Sequence, residues 1–397
     1  MTSLKKTITQ LSEKYSEEFI AIRNHLHQNP ELSFKEFETA KYISSQLEKF
    51  GIHHKTEIAG TGILGIIEGK NPTKKVIALR ADMDALPIEE DNNVVYKSIN
   101  KGVMHACGHD VHMTCLLGAA KILNEIKNEF DGTIKLIFQP SEESFPGGAI
   151  KMIEAGILEN PKVDLVIGQH VLPQLEVGKI GLKPGMYMAS TDEIYLTVKG
   201  KGGHGATPEL NIDPVIISAQ ILVALQQVIS RFGNPAIPSV LSFGRIIGNG
   251  RTNIIPDEVK IDGTFRTFNE KWRLKAHEHI TEIAKSIAKG MGGNCEVFID
   301  KGYPFLVNDE ELTKKTKLNA IEYLGIENVI DLELRLTAED FAYFTQKVPS
   351  CFYRLGVGNS EKGINSNLHT STFNIDESSI KTGIGLMSWL TLEALNS

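Results

Sequence analysis

Apolar residues recur at helical spacing along two stretches near the start of the chain. This pattern predicts helices over residues 9–28 and 39–50, the second ended by Gly51. The pattern then changes to continuous apolar runs, which are typical of strands covered on both faces, at residues 76–79, 134–138 and 163–167. Helical spacing returns over residues 110–126. Helices that alternate with buried strands predict an α/β domain.

Polar side chains follow each of these three strands. Asp82 and Asp84 come after the first strand, Glu142 and Glu143 after the second, and His170 after the third. In open α/β sheets, ligands bind beyond the carboxyl ends of the strands. We therefore expect these side chains to converge on one crevice.

A different pattern begins near residue 190 and predicts a second domain. A strand at 194–198 runs into a glycine-rich turn, and a helix over 213–232, strands near 239–247 and 257–267 and a helix near 270–290 follow. This order is typical of ferredoxin-like modules. A chain of 397 residues also exceeds the usual size of one core. We predict a discontinuous first domain, residues 1–187 and 303–397, with residues 188–302 inserted.

The composition is that of an ordinary soluble protein, with 41% hydrophobic and 23% charged residues. A net charge of −7 without a basic face argues against a nucleic-acid partner. Four scattered cysteines and the lack of a readable signal sequence predict a cytoplasmic location. The most apolar stretch, residues 214–225, is better suited to a buried amphipathic helix than to a membrane span.

The candidate chemistry starts with Cys107 and His109, which flank a single glycine. Thiolate, imidazole and carboxylate groups bind zinc-like divalent metals. A lone cysteine or histidine is more commonly structural, so this pair alone is a weak signal. The two neighbouring carboxylates, Glu142 and Glu143, strengthen it and favour a metallohydrolase.

Five motifs are highly specific when taken together: Leu26–Phe34, Asp82–Pro87, Met104–His112, Gln139–Ser144 and Asn367–His369. In these motifs the chain resembles the aminoacylase-like metallopeptidases, in particular the branch of hippurate hydrolases, N-acyl-amino-acid amidohydrolases and auxin-conjugate hydrolases. The resemblance covers nearly the whole chain. It implies an α/β fold in which a mixed-sheet, phosphorylase/hydrolase-like domain holds two metals and carries an inserted ferredoxin-like α+β lid or dimerisation domain.

The resemblance also implies the ligands of a pair of divalent ions that share Cys107. The remaining ligands would be His109, Glu143, His170 and His369. Asp82 stands where the wider family has a metal-bound histidine, so His109 is the expected substitute and Asp82 is not expected to bind metal. Such ligands suit Zn²⁺ or Mn²⁺ and also admit Co²⁺ or Ni²⁺.

Three further residues resemble catalytic positions of the family. Asp84 would orient a ligating imidazole, although a cap on the strand-end turn would also explain it. Glu142 would be the general base, against the alternative of a solvated surface carboxylate. His204 matches a histidine that reaches the site of a neighbouring subunit and stabilises the oxyanion, which implies a homodimer or a higher oligomer. A histidine in a glycine-flanked turn is the structural alternative.

Asn253 and Arg266 resemble positions that contact the substrate. An arginine suits a substrate carboxylate because its fork pairs bidentately, but an ion pair on a strand face explains Arg266 equally well. His105 and His112 lie close to the metal motif and receive no role. The other histidines, His25, His27, His53, His54, His277 and His279, are expected on the surface.

The leading hypothesis is hydrolysis of the amide bond of an N-acyl amino acid, with an acetyl, benzoyl or similar acyl group. Metal-activated water would attack and Glu142 would act as the base. A metallo-dipeptidase or carboxypeptidase is the main alternative, because one sequence does not measure pocket shape. A non-catalytic ligand-binding relative is the alternative from another class. Each predicts a small substrate or ligand, such as an N-acyl amino acid or a dipeptide, and no membrane partner.

Overall fold

The computed structural model describes residues 2–396. The helices in chain order are α1 Thr2–Gln28, α2 Phe37–Lys49, α3 His109–Glu125, α4 Gly148–Glu154, α5 Pro214–Gln227, α6 Glu270–Gly290, α7 Glu310–Leu324, α8 Ala342–Thr345 and α9 Ser378–Asn396. The strands are β1 His53–Ile58, β2 Gly62–Glu68, β3 Val76–Asp82, β4 Thr133–Gln139, β5 Leu165–Glu176, β6 Ile180–Leu182, β7 Gly185–Met188, β8 Asp192–Lys199, β9 Gly203–His204, β10 Ser239–Ile247, β11 Ile254–Ile255, β12 Glu258–Thr267, β13 Asn294–Lys301, β14 Leu306–Asn308, β15 Val329–Asp331 and β16 Ser350–Gly358.

The chain forms two compact units. The first comprises the chain up to Tyr187, Val307–Leu334 and the part from Asp340 onward, and the second comprises Met188–Leu306 and Arg335–Glu339. The predicted boundaries differ at residues 303–306 and 335–339, which belong to the second unit. A backbone hydrogen bond explains why residues 335–339 belong to the second unit, since the Ala189 N–H donates to the Arg335 carbonyl at 3.1 Å. The lid or dimerisation role of the second unit stays a prediction.

The first unit is built on a mixed sheet with the strand order β1-β2-β4-β3-β5-β16-β6-β15. Its centre is parallel, because β3 runs parallel to β4 and β5, and β5 runs parallel to β16. Every residue of β3 and β4 is buried, as their continuous apolar runs predicted. The helices α1, α3 and α9 pack against one another, and α3 and α9 contact β3. This packing confirms the predicted α/β domain.

His170 lies inside a strand rather than beyond its end, so the predicted position was wrong. The strand β5 pairs with β3 only as far as Gly168, but it continues beside β16 to Glu176. His170 pairs with Arg354 in that extension. The extension still begins where β3 ends at Asp82, and this keeps His170 near the carboxyl edge of the central strands.

The second unit has the predicted ferredoxin-like arrangement. Its sheet is antiparallel with the strand order β10-β12-β8-β13, and α5 and α6 pack against it. Asp213 begins α5 by accepting hydrogen bonds from the N–H groups of Val215 and Ile216. The fold class predicted from the sequence is therefore confirmed.

Helix α5 is less buried than its apolar sequence predicted. Ile217, Ile221 and Leu225 lie in the core, but Val223 is 71% exposed and Ile216 is 53% exposed. The segment Pro214–Phe232 is long and apolar enough to cross a membrane by length and composition alone. Core helices of soluble proteins pass the same test, so one such segment is weak evidence for a membrane span.

Candidate metal centre

The turn that precedes α3 carries two of the predicted ligands. Gly108 has a φ of +80°, and a Cβ at this position would lie 2.5 Å from Cγ2 of Val171. A left-handed backbone and a close neighbour both require glycine here. The turn holds the side chains of Cys107 and His109 in the interior, where they are 7% and 0% exposed.

The ring of His109 is oriented by its Nδ1 atom, which lies 2.8 Å from the backbone carbonyl of Asp84. A carbonyl only accepts, so Nδ1 is protonated and Nε2 is the nitrogen that remains for a metal. Nε2 is buried and has no hydrogen-bond partner among residues 2–396. Burial lowers the pKa of His109, but the carboxylates of Asp82, Asp84 and Glu143 outweigh burial and raise it to about 10. The surroundings of Nε2 therefore favour a positive charge.

Two further imidazoles approach the sulfur of Cys107. His170 Nδ1 lies 2.7 Å from the carbonyl of Val171, and its Nε2 lies 3.5 Å from the sulfur. His369 Nε2 lies 3.3 Å from the same sulfur. The backbone N–H of His369 donates to the carbonyl of Ala106 at 2.9 Å, which ties this distant segment to the Cys107 turn.

The five predicted ligands fall into two groups that share Cys107. One group is Cys107, His109 and His170, and the other is Cys107, Glu143 and His369, with donor atoms within 4.8 Å of one another in each. Glu143 Oε1 is buried without a hydrogen-bond partner in the described chain, although His369 Nε2 lies 3.2 Å away. Burial and the charges of Glu143 and Glu142 raise the pKa of the Cys107 thiol well above its usual range, an effect that a bound cation would reverse. The donor set therefore fits a pair of cations that share one sulfur.

The loop that carries Glu142 and Glu143 is fastened to Asp84. The carboxylate of Asp84 accepts the N–H groups of Glu142 and Glu143, each at 3.0 Å, and the hydroxyl of Ser33 at 2.6 Å. Its Oδ1 atom lies 3.3 Å from His109 Nδ1. The carboxylate of Asp84 therefore holds the adjacent loop, and its predicted role in orienting an imidazole stays a prediction.

Comparison of the sequence with those of known proteins identifies the family of this chain. Residues 78–392 match the sequence profile of peptidase family M20/M25/M40. The chain belongs to this family. Thermostable carboxypeptidase 2 of Saccharolobus solfataricus is 42% identical over 92% of each chain. N-acyl-L-amino acid amidohydrolase of Geobacillus stearothermophilus is 42% identical over 77% of this chain and 82% of its own.

A solved structure of the same peptidase family supports the fold. It is described as a dinuclear metal-binding peptidase from Bacillus subtilis, with a TM-score of 0.83 and 34% identity over 97% of this chain and 99% of its own. The family resemblance, the fold class and the prediction of a metallohydrolase are thus confirmed. The roles of individual site residues stay predictions.

Two buried residues that support the site of this family member were missed. Glu36 accepts the N–H of Ser141 at 2.9 Å and the hydroxyl of Thr61 at 2.7 Å, so it holds the residue that precedes Glu142. His112 lies between Asp82 and the backbone of Val171. Glu36 is only two residues beyond the Leu26–Phe34 motif, but its contacts span 105 residues of chain and no local pattern signals them.

Asp82, which was not expected to bind metal, contacts an arginine and a histidine, and its exclusion from the ligands stays a prediction. Its Oδ2 atom lies 2.6 Å from Arg80 Nη1, and its Oδ1 atom lies 2.5 Å from His112 Nδ1. Nε2 of the predicted ligand His109 lies 3.7 Å from Oδ2. The charge of Asp82 is therefore already paired with an arginine.

The expectation that His27 lies on the surface was wrong. His27 is 1% exposed, and its ring lies 2.7 Å from Asp110 and 3.2 Å from Glu90. His105 is also buried, and neither of its ring nitrogens has a hydrogen-bond partner in the described part of the chain. Burial lowers the pKa of His105 to about 3, so this ring is neutral.

The three remaining predicted residues lie in the second unit. His204 is exposed and pairs with Ile254 across β9 and β11, and the next N–H, that of Gly205, donates to the carbonyl of Asn253 at 2.9 Å. His204 and Asn253 therefore lie together at one small two-stranded sheet. Arg266 is half-buried on β12 and donates to the carbonyl of Leu336 at 2.9 Å, so part of its guanidinium is used within the unit.

Proposed function

We propose that this protein is a metal-dependent amidohydrolase that cleaves N-acyl amino acids to a carboxylate and a free amino acid. The observation that carries the proposal is a buried thiol, Cys107, shared by two groups of metal-ligating atoms, with the buried carboxylate of Glu142 adjacent in sequence to the predicted ligand Glu143. The similarity to an N-acyl-L-amino acid amidohydrolase supports the substrate class.

The cofactor would be two divalent cations, Zn²⁺ or Mn²⁺, with Co²⁺ or Ni²⁺ also suited to these ligands. Cys107, His109, Glu143, His170 and His369 would hold them. When bound, such cations polarise an amide carbonyl and lower the pKa of a water molecule. The orientation of the two rings favours binding, because Nδ1 of each ring faces a backbone carbonyl, while Nε2 of His170 lies 3.5 Å from the sulfur of Cys107 and Nε2 of His109 lies 4.0 Å from Oε1 of Glu143.

Glu142 would move the proton. It is 6% exposed, and its Oε1 atom accepts the N–H of Asp340 at 3.4 Å. A carboxylate held in place next to a ligand can take a proton from the attacking water and deliver it to the leaving amine. Asp84 would fix its position through the two backbone N–H groups of the loop.

A carboxypeptidase or dipeptidase is the second candidate. The carboxypeptidase of Saccharolobus solfataricus and the amidohydrolase of Geobacillus stearothermophilus are both 42% identical to this chain, over 92% and 77% of its length. Both reactions hydrolyse an amide next to a free carboxylate, and they differ in the group on the acyl side. Arg266 or Asn253 would bind that carboxylate in either case.

The test is release of free amino acid from a matched set of substrates. Protein reconstituted with Zn²⁺ or Mn²⁺ is assayed with N-acetyl, N-benzoyl and indole-acetyl amino acids and with dipeptides of the same C-terminal residues. Glu142→Gln is the control, since it keeps the shape of the base but cannot take a proton. Metal content of both proteins is measured in parallel.

Release from the N-acyl series that is lost in Glu142→Gln at unchanged metal content would support the amidohydrolase and its base. Release from the dipeptides alone would replace it with the peptidase. Protein that binds two metals and releases nothing from either series would contradict both, and would leave the ligand-binding hypothesis.

We also propose a cytoplasmic homodimer or higher oligomer in which His204 completes a partner's site. The exposed apolar side chains of α5, at Val215, Ile216 and Val223, support an interface on the second unit, because such patches are commonly covered by a partner. Sedimentation equilibrium of wild type and Val223→Asp tests this. A monomer in both cases would contradict the proposal.

A further inference from the structure

The backbone that follows the proposed ligand His170 is held by a second histidine. The N–H of Val171 donates to Nε2 of His112 at 2.9 Å, and the carbonyl of Val171 lies 2.7 Å from Nδ1 of His170. The side chain of Val171 packs closely on Gly108. The residue that fixes the orientation of the His170 ring is thus itself fixed by His112.

The hydrogen bonds of His112 define its tautomer. A backbone N–H can only donate, so Nε2 must be the accepting nitrogen. The remaining nitrogen, Nδ1, then carries the proton and donates to Oδ1 of Asp82 at 2.5 Å. His112 is therefore a neutral ring with its proton on Nδ1.

Asp82 is in turn held by a buried network. Arg80 lies 2.6 Å from its second oxygen and also donates to Asp340 at 2.7 Å and to Gln139 at 2.8 Å. Arg80, Asp82 and His112 are each 0% exposed. The carboxylate of Asp82 is buried and one of its oxygens is paired with Arg80. The other oxygen accepts the Nδ1–H group of His112.

We propose that Asp82 and His112 form a positioning pair that sets the direction of the His170 ring through the backbone of Val171. The pair has no contact with substrate in this role. It acts by keeping the proton of His112 on Nδ1, which leaves Nε2 as the acceptor that the Val171 N–H requires. The proposal rests on the proposed function, since it takes His170 to be a metal ligand.

Two substitutions of His112 distinguish the effect of losing its accepting nitrogen from the effect of losing its ring. Glutamine can place an oxygen where Nε2 lies, whereas asparagine can place an N–H where Nδ1 lies and leaves the Val171 N–H without an acceptor. Both variants lose the ring, whose centroid lies 4.6 Å from that of His170. The glutamine variant keeps an acceptor for the Val171 N–H and the asparagine variant keeps a donor for Asp82, so comparing them tests the two contacts of His112 separately.

The measurement is the affinity for Zn²⁺ or Mn²⁺ by titration calorimetry, with stoichiometry by elemental analysis. We expect His112→Asn to bind the weaker of its two metals about 10- to 100-fold less tightly than wild type, as changes in groups that orient ligands commonly do, and His112→Gln to recover most of this loss. Equal losses in the two variants, or no loss in either, would overturn the proposal.

A second measurement reads the tautomer of His112 directly in the wild-type protein. In metal-free wild-type protein labelled with ¹⁵N-histidine, the signals of His112 are assigned by their disappearance in His112→Gln, and their shifts report which nitrogen is protonated. We expect the proton on Nδ1. A proton on Nε2, or on both nitrogens at pH 7, would overturn the proposal. His170→Ala separates the two hypotheses, because full binding of two metals in that variant would contradict the ligand set itself.

Discussion

Replacement of Asp84 by asparagine tests the connection between the predicted base and the predicted ligands. The two oxygens of Asp84 accept the N–H groups of Glu142 and Glu143, and one of them also accepts the hydroxyl of Ser33. An asparagine side chain has one oxygen and one NH₂ group. Whichever way the amide is turned, its NH₂ faces one of the two backbone N–H groups. One buried donor is therefore left without an acceptor.

The size of the effect follows from this geometry. A buried donor without a partner costs about 1–3 kcal/mol, and the loop can recover part of that cost only by moving Glu142 or Glu143. A shift of either residue misplaces the base or a ligand. We therefore expect kcat/KM for the preferred N-acyl amino acid to fall about 10- to 100-fold, as is common when a group that orients metal ligands is changed.

The assay is steady-state kinetics at saturating metal, with metal content measured on the same samples. Ser33→Ala is the matched control, because it removes one hydrogen bond to Asp84 and leaves acceptors for both backbone N–H groups. The reasoning would be refuted if Asp84→Asn kept wild-type kcat/KM, or if Ser33→Ala were as damaging.

Three other substitutions test separate parts of the molecule. His204→Ala should strongly reduce turnover at unchanged metal content, and wild-type activity in this variant would remove His204 from the mechanism. Asp110→Asn leaves the buried charge of Arg23, 2.8 Å away, uncompensated and should lower the free energy of unfolding by about 3–5 kcal/mol in chemical denaturation, whereas a loss under about 1 kcal/mol would contradict this. Burial raises the pKa of Asp192, but hydrogen bonds from His277 and Arg273 outweigh it and lower the pKa. The ionised carboxylate of Asp192 therefore stabilises the folded state at pH values above its unfolded pKa of about 3.9, and this stabilisation is lost as the pH falls through the folded pKa. Asp192→Asn should weaken the acid dependence of unfolding. An unchanged dependence would be evidence against this pairing.

Much of the fold follows from local patterns in the sequence. The strands β3 and β4 have unbroken apolar runs because both of their faces are covered, and Asp213 marks the start of α5 by its capping bonds. The ferredoxin-like order of the second unit was predictable because its strands and helices also show in the local sequence pattern. Local patterns also place Cys107 and His109 on one turn, since a glycine between them allows both side chains to point inward.

Other features depend on contacts between distant segments, which local patterns do not contain. The end of β5 is set by its pairing with β16, almost two hundred residues later, and this pairing places His170 inside the strand. The contacts of Glu36 with Ser141 and of His112 with Val171 are of the same kind. The outer face of α5 is exposed although its sequence is apolar, because burial depends on what covers a helix as well as on its composition.

Backbone strain at the proposed centre is concentrated where long-range bonds hold the chain. Ser141, which precedes the proposed base Glu142, has a φ of 48°, and His369, the last predicted ligand, has a φ of 60°. Left-handed conformations cost non-glycine residues about 1–3 kcal/mol and persist only where the surroundings enforce them. The N–H of Ser141 is bound by Glu36, and the N–H of His369 is bound by the carbonyl of Ala106. Each strained residue is thus fastened to a segment far from it in sequence, so that Glu142 and His369 are held in position before any substrate arrives, as a preorganised site requires.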